Sequence, residues 1–306
     1  MTIKLLFFMQ TVCALMTIGC AGHETRTVKI ANEVNKEVSQ PYFSEKKAEF
    51  VHGKLAKEDF SETWLYKYRL STVNLLYGVA QGLSFYFPEN PQYIDWHQNT
   101  FNEKVRRNDY TDHNITRIYW SYINARMFDK AAEIRKRFPS TAYAAIPDTM
   151  SISTEAAGAR WPVYDVFDKG KNSELKGLHL EEGPKIVVSV SPGCPVADRA
   201  ITEILANPEW AGTFRKYGIL LTTRFDVEGL LKWREKFMFP NMYIIYKQSR
   251  LPEFNFTVSP YFYFMKDGKV VSSFRSWGKK YPAKFLSGME TIGVSPDPAK
   301  PAEKKI

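Results

Sequence analysis

From Trp161 onward, short runs of β-forming residues alternate with stretches suited to helices, and this alternation strongly constrains the fold. The β-type runs are Pro162 to Phe167, Leu178 to Leu180, Lys185 to Val190 and Gly218 to Arg224, and a helical stretch covers Glu228 to Phe237. Strands that alternate with helices pack as an α/β sandwich around one sheet. The pattern predicts an α/β domain over residues 161 to 295, with a mixed sheet flanked by helices.

The dipeptide Asp267-Gly268 predicts a β-hairpin near the end of this region. It separates two apolar runs, Tyr261 to Met265 and Lys269 to Phe274, and an Asp-Gly pair suits the positive φ angles of a tight hairpin turn. A last helix is expected over Tyr281 to Ile292. Residues 296 to 306 are rich in Pro, Lys and Ala and are expected to form a disordered tail.

Helical spacing dominates the part of the chain before residue 161. Apolar residues recur at three- and four-residue intervals from Glu58 to Phe87, and a second block from Asn114 to Phe138 has the pattern of a helical hairpin. The sequence therefore predicts an all-α domain over residues 56 to 160. Residues 20 to 55 are polar with few large aliphatic side chains, so a flexible tether is expected there.

The N-terminus has the pattern of an export signal. Its apolar run from Leu5 to Ile18 is too short for a permanent membrane span, so residues 1 to 19 are predicted to be a signal peptide. The stretch Thr17-Ile18-Gly19-Cys20 resembles the lipobox of bacterial lipoproteins, in which cleavage leaves the cysteine as a lipidated N-terminus. Ordinary signal cleavage near residues 20 to 23 is the alternative.

The lipobox resemblance also implies where the protein is located. A lipid anchor at Cys20 would hold it to a membrane on the periplasmic face of a Gram-negative envelope. Ala21, which stands where an aspartate would retain a lipoprotein in the inner membrane, permits sorting to the outer membrane. Envelope proteins are then the expected partners.

Composition limits the classes of function. The chain has 42 Lys and Arg against 33 Asp and Glu, a formal net charge of +9. These charges are spread along the chain without an aromatic-interleaved basic tract, so nucleic-acid binding is not expected. Its five histidines show no ligand spacing, and neither a metal site nor another cofactor is predicted. With Cys13 in the signal and Cys20 lipidated, Cys194 has no partner for an internal disulfide.

Cys194 lies where an apolar, strand-like run gives way to a helix-compatible one. The unpaired backbone N–H groups and the positive dipole end at the start of a helix favour a thiolate over a thiol. This position predicts a nucleophilic cysteine, with Gly193 and Pro195 shaping the turn around it.

Three features of residues 161 to 295 together resemble the thioredoxin-like superfamily, in particular its TlpA-like envelope branch. They are the Cys194-Pro195-Val196-Ala197 junction, the Val258-Ser259-Pro260-Tyr261 step that enters a strand, and the hairpin that follows. The resemblance implies a thioredoxin-like fold, with a cis peptide bond before Pro260 that faces Cys194. It also implies that the backbone of Ser259 pairs with a substrate strand.

The sequence departs from the superfamily pattern at Ala197, where the second cysteine of Cys-x-x-Cys would stand. A dithiol enzyme uses that second thiol to release its mixed disulfide, and a lone thiol cannot complete this cycle. Val188 also replaces the buried aspartate of thioredoxin. The expected activity is therefore single-cysteine thiol–disulfide exchange, in disulfide or folding homeostasis, with Cys194 and Pro260 as catalytic residues and Ser259, Gly193 and Pro195 as substrate-binding residues.

Two other functions stay open. A cysteine at a helix start can be a small apolar residue, and the domain would then be a non-catalytic adaptor or binding module. Ser191, three residues before Cys194, keeps a hydroxyl found in peroxiredoxins, which makes a thiol peroxidase the second alternative, although Val187 replaces the proline of those enzymes. His179 is close enough in sequence to pair with the thiol.

Overall fold

The computed structural model describes residues 22–38, 51, 53–55 and 57–296. The chain divides between Tyr143 and Ala144 into two units, each with its own dense internal contacts. The predicted signal peptide, the lipidation site Cys20 and the tail from residue 297 lie outside the described residues. Within them, no helix is long and apolar enough to cross a membrane.

The described part of the first unit is helical. Its elements are α1 (residues 22–38), a short 3-10 helix (Lys57–Phe60), α2 (Glu62–Lys67), α3 (Leu70–Tyr86), α4 (Pro91–Arg106), α5 (Asp112–Asn124) and α6 (Phe128–Arg137). The predicted helical character is confirmed for the described residues up to Tyr143, whereas the all-α domain predicted over residues 56 to 160 ends there and a strand follows at Thr149–Ile152.

Local signals explain where several of these helices begin. Asn90 caps α4 by accepting the N–H of Gln92 at 3.0 Å, and Pro91 occupies the first helical position. Thr111 and Asn114 form a reciprocal capping box at the start of α5. The turn between α5 and α6 passes through Arg126, whose φ is +63°, which confirms the predicted helical hairpin.

Residues 22–38 form a helix, and the prediction of a flexible tether over residues 20 to 55 is wrong for this stretch. Ala31, Val34 and Val38 are buried and pack into the core of the first unit. Their spacing of three and four residues is that of one helix face. The sequence prediction missed it because these side chains are small and the rest of the stretch is polar.

The described part of the second unit combines eight strands with four α-helices. The strands are β1 (Thr149–Ile152), β2 (Pro162–Phe167), β3 (Asn172–Gly177), β4 (Pro184–Ser189), β5 (Gly218–Thr222), β6 (Met242–Ile245), β7 (Tyr261–Lys266) and β8 (Lys269–Arg275). The helices are α7 (Pro195–Ala206), α8 (Pro208–Tyr217), α9 (Val227–Phe237) and α10 (Tyr281–Thr291). The predicted α/β class is confirmed.

All eight strands belong to one mixed sheet in the order β1-β3-β2-β6-β5-β4-β7-β8. The central strands β4, β5 and β6 are parallel neighbours, and β7 and β8 extend the sheet as an antiparallel hairpin beside β4. Helix α8 packs on β4 and β5, and α10 packs on β7 and β8. The residues that follow β4, β5 and β6 therefore emerge at one end of the sheet.

The hairpin turn lies where the sequence places it. Asp267 and Gly268 have φ angles of +47° and +73°, as a turn with two positive φ angles requires. Behind the hairpin, the rings of Phe262 and Phe264 pack against Phe285 of α10 at centroid distances of 5.9 and 5.8 Å. This aromatic cluster fixes β7 between β4 and the last helix.

Two expectations about this unit are wrong. Leu178 to Leu180 is not a strand: the chain leaves the sheet after Gly177, and Leu180 turns into the core. The unit also begins before residue 161, because β1 pairs in parallel with β3 from the Thr149–Asn172 position onward. Strand β1 is only four residues long and mostly exposed, and β3 has a single large apolar residue, so neither gives a strand signal strong enough to predict from the sequence.

Candidate functional site

Cys194 is the N-cap residue of α7, directly after the loop that leaves β4. Pro195 occupies the first position of the helix, where its missing N–H costs nothing. Gly193 has a φ of +86°, a backbone conformation that favours glycine. The strand, the glycine turn and the proline together hold Cys194 half-buried at the helix start.

The loop that enters β7 faces this cysteine. The Ser259–Pro260 peptide bond is cis, as the resemblance to thioredoxin-like proteins implies. The Sγ of Cys194 donates a hydrogen bond to the backbone carbonyl of Ser259, with a separation of 3.4 Å. The sheet brings the two loops together, because Ser189 at the end of β4 is the register partner of Tyr261 at the start of β7.

The backbone of Ser191 makes a second connection between the loop before Cys194 and the loop before Pro260. Its backbone N–H donates to the Oγ of Ser259 at 2.8 Å, and its carbonyl accepts the N–H of Cys194 at 2.9 Å. The sequence pointed to Ser191 only through its own hydroxyl, and this backbone role was not predicted. No sequence pattern marks it, since the contact joins residues that are 68 positions apart.

The start of α7 leaves backbone donors next to the sulfur. Helix α7 has no side-chain cap, so the N–H groups of Val196 and Ala197 lack the acceptor that an N-cap side chain often supplies. The sulfur of Cys194 occupies that N-cap position, where a thiolate would be a stronger acceptor than the thiol. Farther along the first turn, the carboxylate of Asp198 pairs with Lys236 at 2.5 Å.

Cys194 is the only cysteine among the described residues. The position that matches a second cysteine holds Ala197, whose side chain is fully buried. The described part of the chain contains no group of three or more His, Cys, Asp or Glu residues arranged to hold a metal ion. The chemistry available here is that of one half-buried thiol, at the N-cap position of α7 and hydrogen-bonded to the backbone carbonyl of Ser259.

His179 lies elsewhere, and the pairing with Cys194 that the sequence allowed does not form. His179 lines a cleft of about 530 Å³, where its Nε2 is 3.7 Å from a carboxylate oxygen of Glu155. Lys185 and Gly218, at the starts of β4 and β5, line the same cleft. Because Cys194 follows the far end of β4, the cleft and the thiol lie at opposite ends of the sheet.

The cleft was not predicted from the sequence. Its charged lining mixes the cations Lys176, Lys185 and Lys216 with the carboxylates of Glu155 and Glu174. These residues are dispersed over several elements, and no spacing in the sequence marks them. The mixture of charges favours no single class of ligand.

No known protein family, curated protein or solved structure matches this chain.

Proposed function

We propose that this protein is a thioredoxin-like envelope protein that catalyses redox-neutral thiol–disulfide exchange through Cys194. The observation that carries the proposal is the position of the Cys194 sulfur, 3.4 Å from the carbonyl of Ser259 and at the N-terminus of α7. The parallel strands β4 and β5 joined by helices, followed by an antiparallel hairpin and a last helix, support a thioredoxin-like fold.

Exchange begins when the thiolate of Cys194 attacks one sulfur of a substrate disulfide. A new S–S bond joins Cys194 to that sulfur, and the other substrate sulfur leaves as a thiolate. The proton of Cys194 passes to solvent, because the residue is only half-buried. The backbone N–H groups at the start of α7 stabilise the negative sulfur in the attacking state.

A thiolate of the substrate itself completes the cycle. It attacks the substrate sulfur of the mixed disulfide, forms a different substrate disulfide and releases Cys194 as a thiolate. The number of disulfides is the same before and after, so the cycle needs neither an oxidant nor a reductant. The absence of a second cysteine at Ala197 is compatible with this reaction, whereas net reduction would require a resolving thiol.

The loop before Pro260 would bind the substrate. The cis peptide bond places the backbone of Ser259 beside the sulfur, where an extended segment that carries a cysteine could pair with it. Anchoring at Cys20 and a periplasmic location are part of the same proposal, since disulfide-bonded substrates are found in oxidising compartments.

The test uses a protein that begins at Ala21, so that Cys194 is its only cysteine. The substrate is a ribonuclease with scrambled disulfides, in a buffer that contains a trace of free thiol. The expected result is that the protein increases the rate at which this ribonuclease regains its activity. Cys194→Ser and Cys194→Ala should reduce the rate to that of the buffer alone while leaving the circular dichroism spectrum unchanged. A wild-type rate equal to the buffer rate would refute the proposal.

A further inference from the structure

A stack of aromatic rings and a polar network fasten the start of α1 to the α2–α3 region. The ring of His23 stacks on Trp64 with a centroid distance of 3.9 Å and an interplanar angle of 12°. Its Nδ1 lies 2.8 Å from the hydroxyl of Tyr68. The Oε1 of Glu24 accepts the hydroxyl of Thr72 at 2.5 Å and the backbone N–H of Arg69 at 2.9 Å.

The second turn of α1 is held in the same way. Thr27 donates its hydroxyl to Oδ1 of Asp59 at 2.7 Å, and the hydroxyl of Tyr68 donates to the same oxygen at 3.3 Å. Asp59 is only 5% exposed. These buried contacts make α1 part of the packed unit from its beginning.

This attachment limits the distance between the folded unit and a lipid anchor. His23 is three positions after Cys20 in the sequence, and a fully extended chain spans at most about 3.5 Å per residue. An anchor at Cys20 would therefore lie within about 11 Å of the stacked ring of His23. The first unit would touch the bilayer surface, with no tether to lift it away.

The surface beside His23 has the composition that a bilayer interface favours. Tyr66 is 65% exposed and Leu70 is 39% exposed. The ammonium group of Lys67 lies 4.8 Å from the centre of the Trp64 ring, and the guanidinium of Arg106 lies 4.5 Å from that of Tyr66. Tryptophan and tyrosine concentrate at the headgroup level of membranes.

The charges of this surface are arranged so that the cations face solvent. The side chain of Arg69 is 77% exposed while that of its partner Glu24 is 11% exposed. Arg106 is 49% exposed while its partner Glu103 is 8% exposed. Glu62 is an exposed carboxylate nearby, but the buried carboxylates are shielded from a ligand. Basic side chains close to an anionic membrane are attracted to its surface.

We propose that the surface formed by Trp64, Tyr66, Lys67, Arg69, Leu70 and Arg106 docks on a bilayer that contains anionic phospholipids. We call it the docking surface. It would orient the first unit on the membrane independently of any thiol chemistry in the second unit. The partner is the lipid headgroup layer, with the aromatic and leucine side chains at the interface and the cations at the phosphates.

The test is covalent footprinting of the full-length chain, purified from bacteria and reconstituted into vesicles. An amine-reactive acetylating reagent modifies exposed lysines, and mass spectrometry reports the rate at each position. The vesicles contain either phosphatidylcholine alone or phosphatidylcholine with 30% phosphatidylglycerol. Lys67 is the reporter, and Lys136 on α6 is the control, because both are exposed in the structure.

The expected result is that Lys67 reacts at least threefold more slowly on the anionic vesicles than in detergent, with a smaller effect on neutral vesicles. Lys136 should react at one rate throughout, and 0.5 M salt should restore much of the reactivity of Lys67. Equal rates at Lys67 in all three conditions, or equal protection of both lysines, would overturn the proposal.

Two matched variants test whether the protection of Lys67 depends on the docking surface. Phe85 is 45% exposed and lies 15 residues from Leu70 on α3, about 22 Å along the helix axis. The double variant Tyr66→Ser, Leu70→Ser should lose the protection of Lys67, whereas Phe85→Ser should keep it. The docking proposal rests on the lipid anchor at Cys20 that the proposed function includes, but not on thiol exchange at Cys194. Because the disulfide-exchange assay contains no vesicles, the exchange reaction and the docking can each fail separately.

Discussion

The Oγ of Ser259 accepts the backbone N–H of Ser191 at 2.8 Å, so the loop before Cys194 is fastened to the loop before Pro260. This bond fixes how the thiol faces the Ser259 carbonyl. The distance between the Cys194 sulfur and the Ser259 carbonyl therefore depends on the hydroxyl of Ser259, which takes no part in the proposed exchange reaction.

Replacing Ser259 by alanine should weaken this arrangement. The variant leaves the N–H of Ser191 without its acceptor, which costs about 1 kcal/mol in the free energy of unfolding. The rate of disulfide exchange through Cys194 should fall by more than the loss in the free energy of unfolding can explain. Urea unfolding and the ribonuclease assay measure the two effects. Ser259→Thr keeps the hydroxyl and should keep most of the rate; equal loss in both variants would show that the hydrogen bond is not the cause.

Introducing a second thiol at position 197 should change the reaction. Ala197 is three residues after Cys194 on the first turn of α7 and is fully buried. In Ala197→Cys, the new thiol can resolve a mixed disulfide at Cys194, so the protein should reduce insulin disulfides with dithiothreitol as the electron donor.

The wild-type chain and the double variant Cys194→Ser, Ala197→Cys are the controls for this gain of function. Both should reduce insulin more slowly than Ala197→Cys, because each has only one of the two thiols and depends on dithiothreitol to resolve a mixed disulfide. A double variant as active as Ala197→Cys would mean that Cys194 is not the attacking group.

Gly288 of α10 lies so close to the ring of Phe264 that a Cβ there would overlap its edge atoms. Gly288→Ala should therefore lower the free energy of unfolding by about 2 to 3 kcal/mol through overpacking. Gly278→Ala is the matched control, since its Cβ would meet nothing closer than 3.8 Å, and it should be neutral within about 1 kcal/mol. Urea denaturation of both variants checks the difference, and similar stabilities would contradict the packing described for α10.

The buried histidine of the first unit should make stability depend on pH. His97 is fully buried, and its Nδ1 lies 2.9 Å from the hydroxyl of Ser121. Burial lowers the pKa of His97 to about 3, with a smaller contribution from the charge of Arg117. In the unfolded chain the same ring takes up a proton near its ordinary value of 6.5.

The sign follows from which state binds the proton. Between pH 6.5 and 3 the unfolded state is protonated at this ring while the folded state is not, so stability falls as the pH is lowered through this window. The slope is about 1.4 kcal/mol for each pH unit at its steepest. Urea unfolding at pH 7, 6 and 5 should show a shallower slope for His97→Gln than for the wild type. His113→Gln, at an exposed position on α5, should keep the wild-type slope.

Much of the second unit follows from local sequence. The Asp267-Gly268 turn, strands β2, β4, β5, β7 and β8, and helices α9 and α10 were predicted from periodicity and turn chemistry, because each carries a complete local signal. The position of Cys194 at a strand-to-helix junction was predicted for the same reason. In these segments the neighbouring residues in the sequence are sufficient to predict the backbone conformation.

The rest was decided by tertiary contacts. Strand β3 has only one large apolar side chain, Leu175, and is held by pairing with β2 on one side and with the short edge strand β1 on the other. Helix α1 is ordered by a face of small side chains and by bonds from Glu24 and Thr27 to residues more than 30 positions away. His179 is 15 residues from Cys194 in sequence but lies at the other end of the sheet, because β4 runs between them.

The sequence by itself determined the class of the two halves of the chain and the local setting of the thiol. Only the tertiary structure decided that Ser191 and Ser259 meet and that α1 is packed beside an exposed aromatic and basic surface. The spacing of apolar residues predicts the secondary structure of a segment and which of its faces is buried. Contacts between distant segments leave no spacing in the chain, since they depend on how whole elements pack.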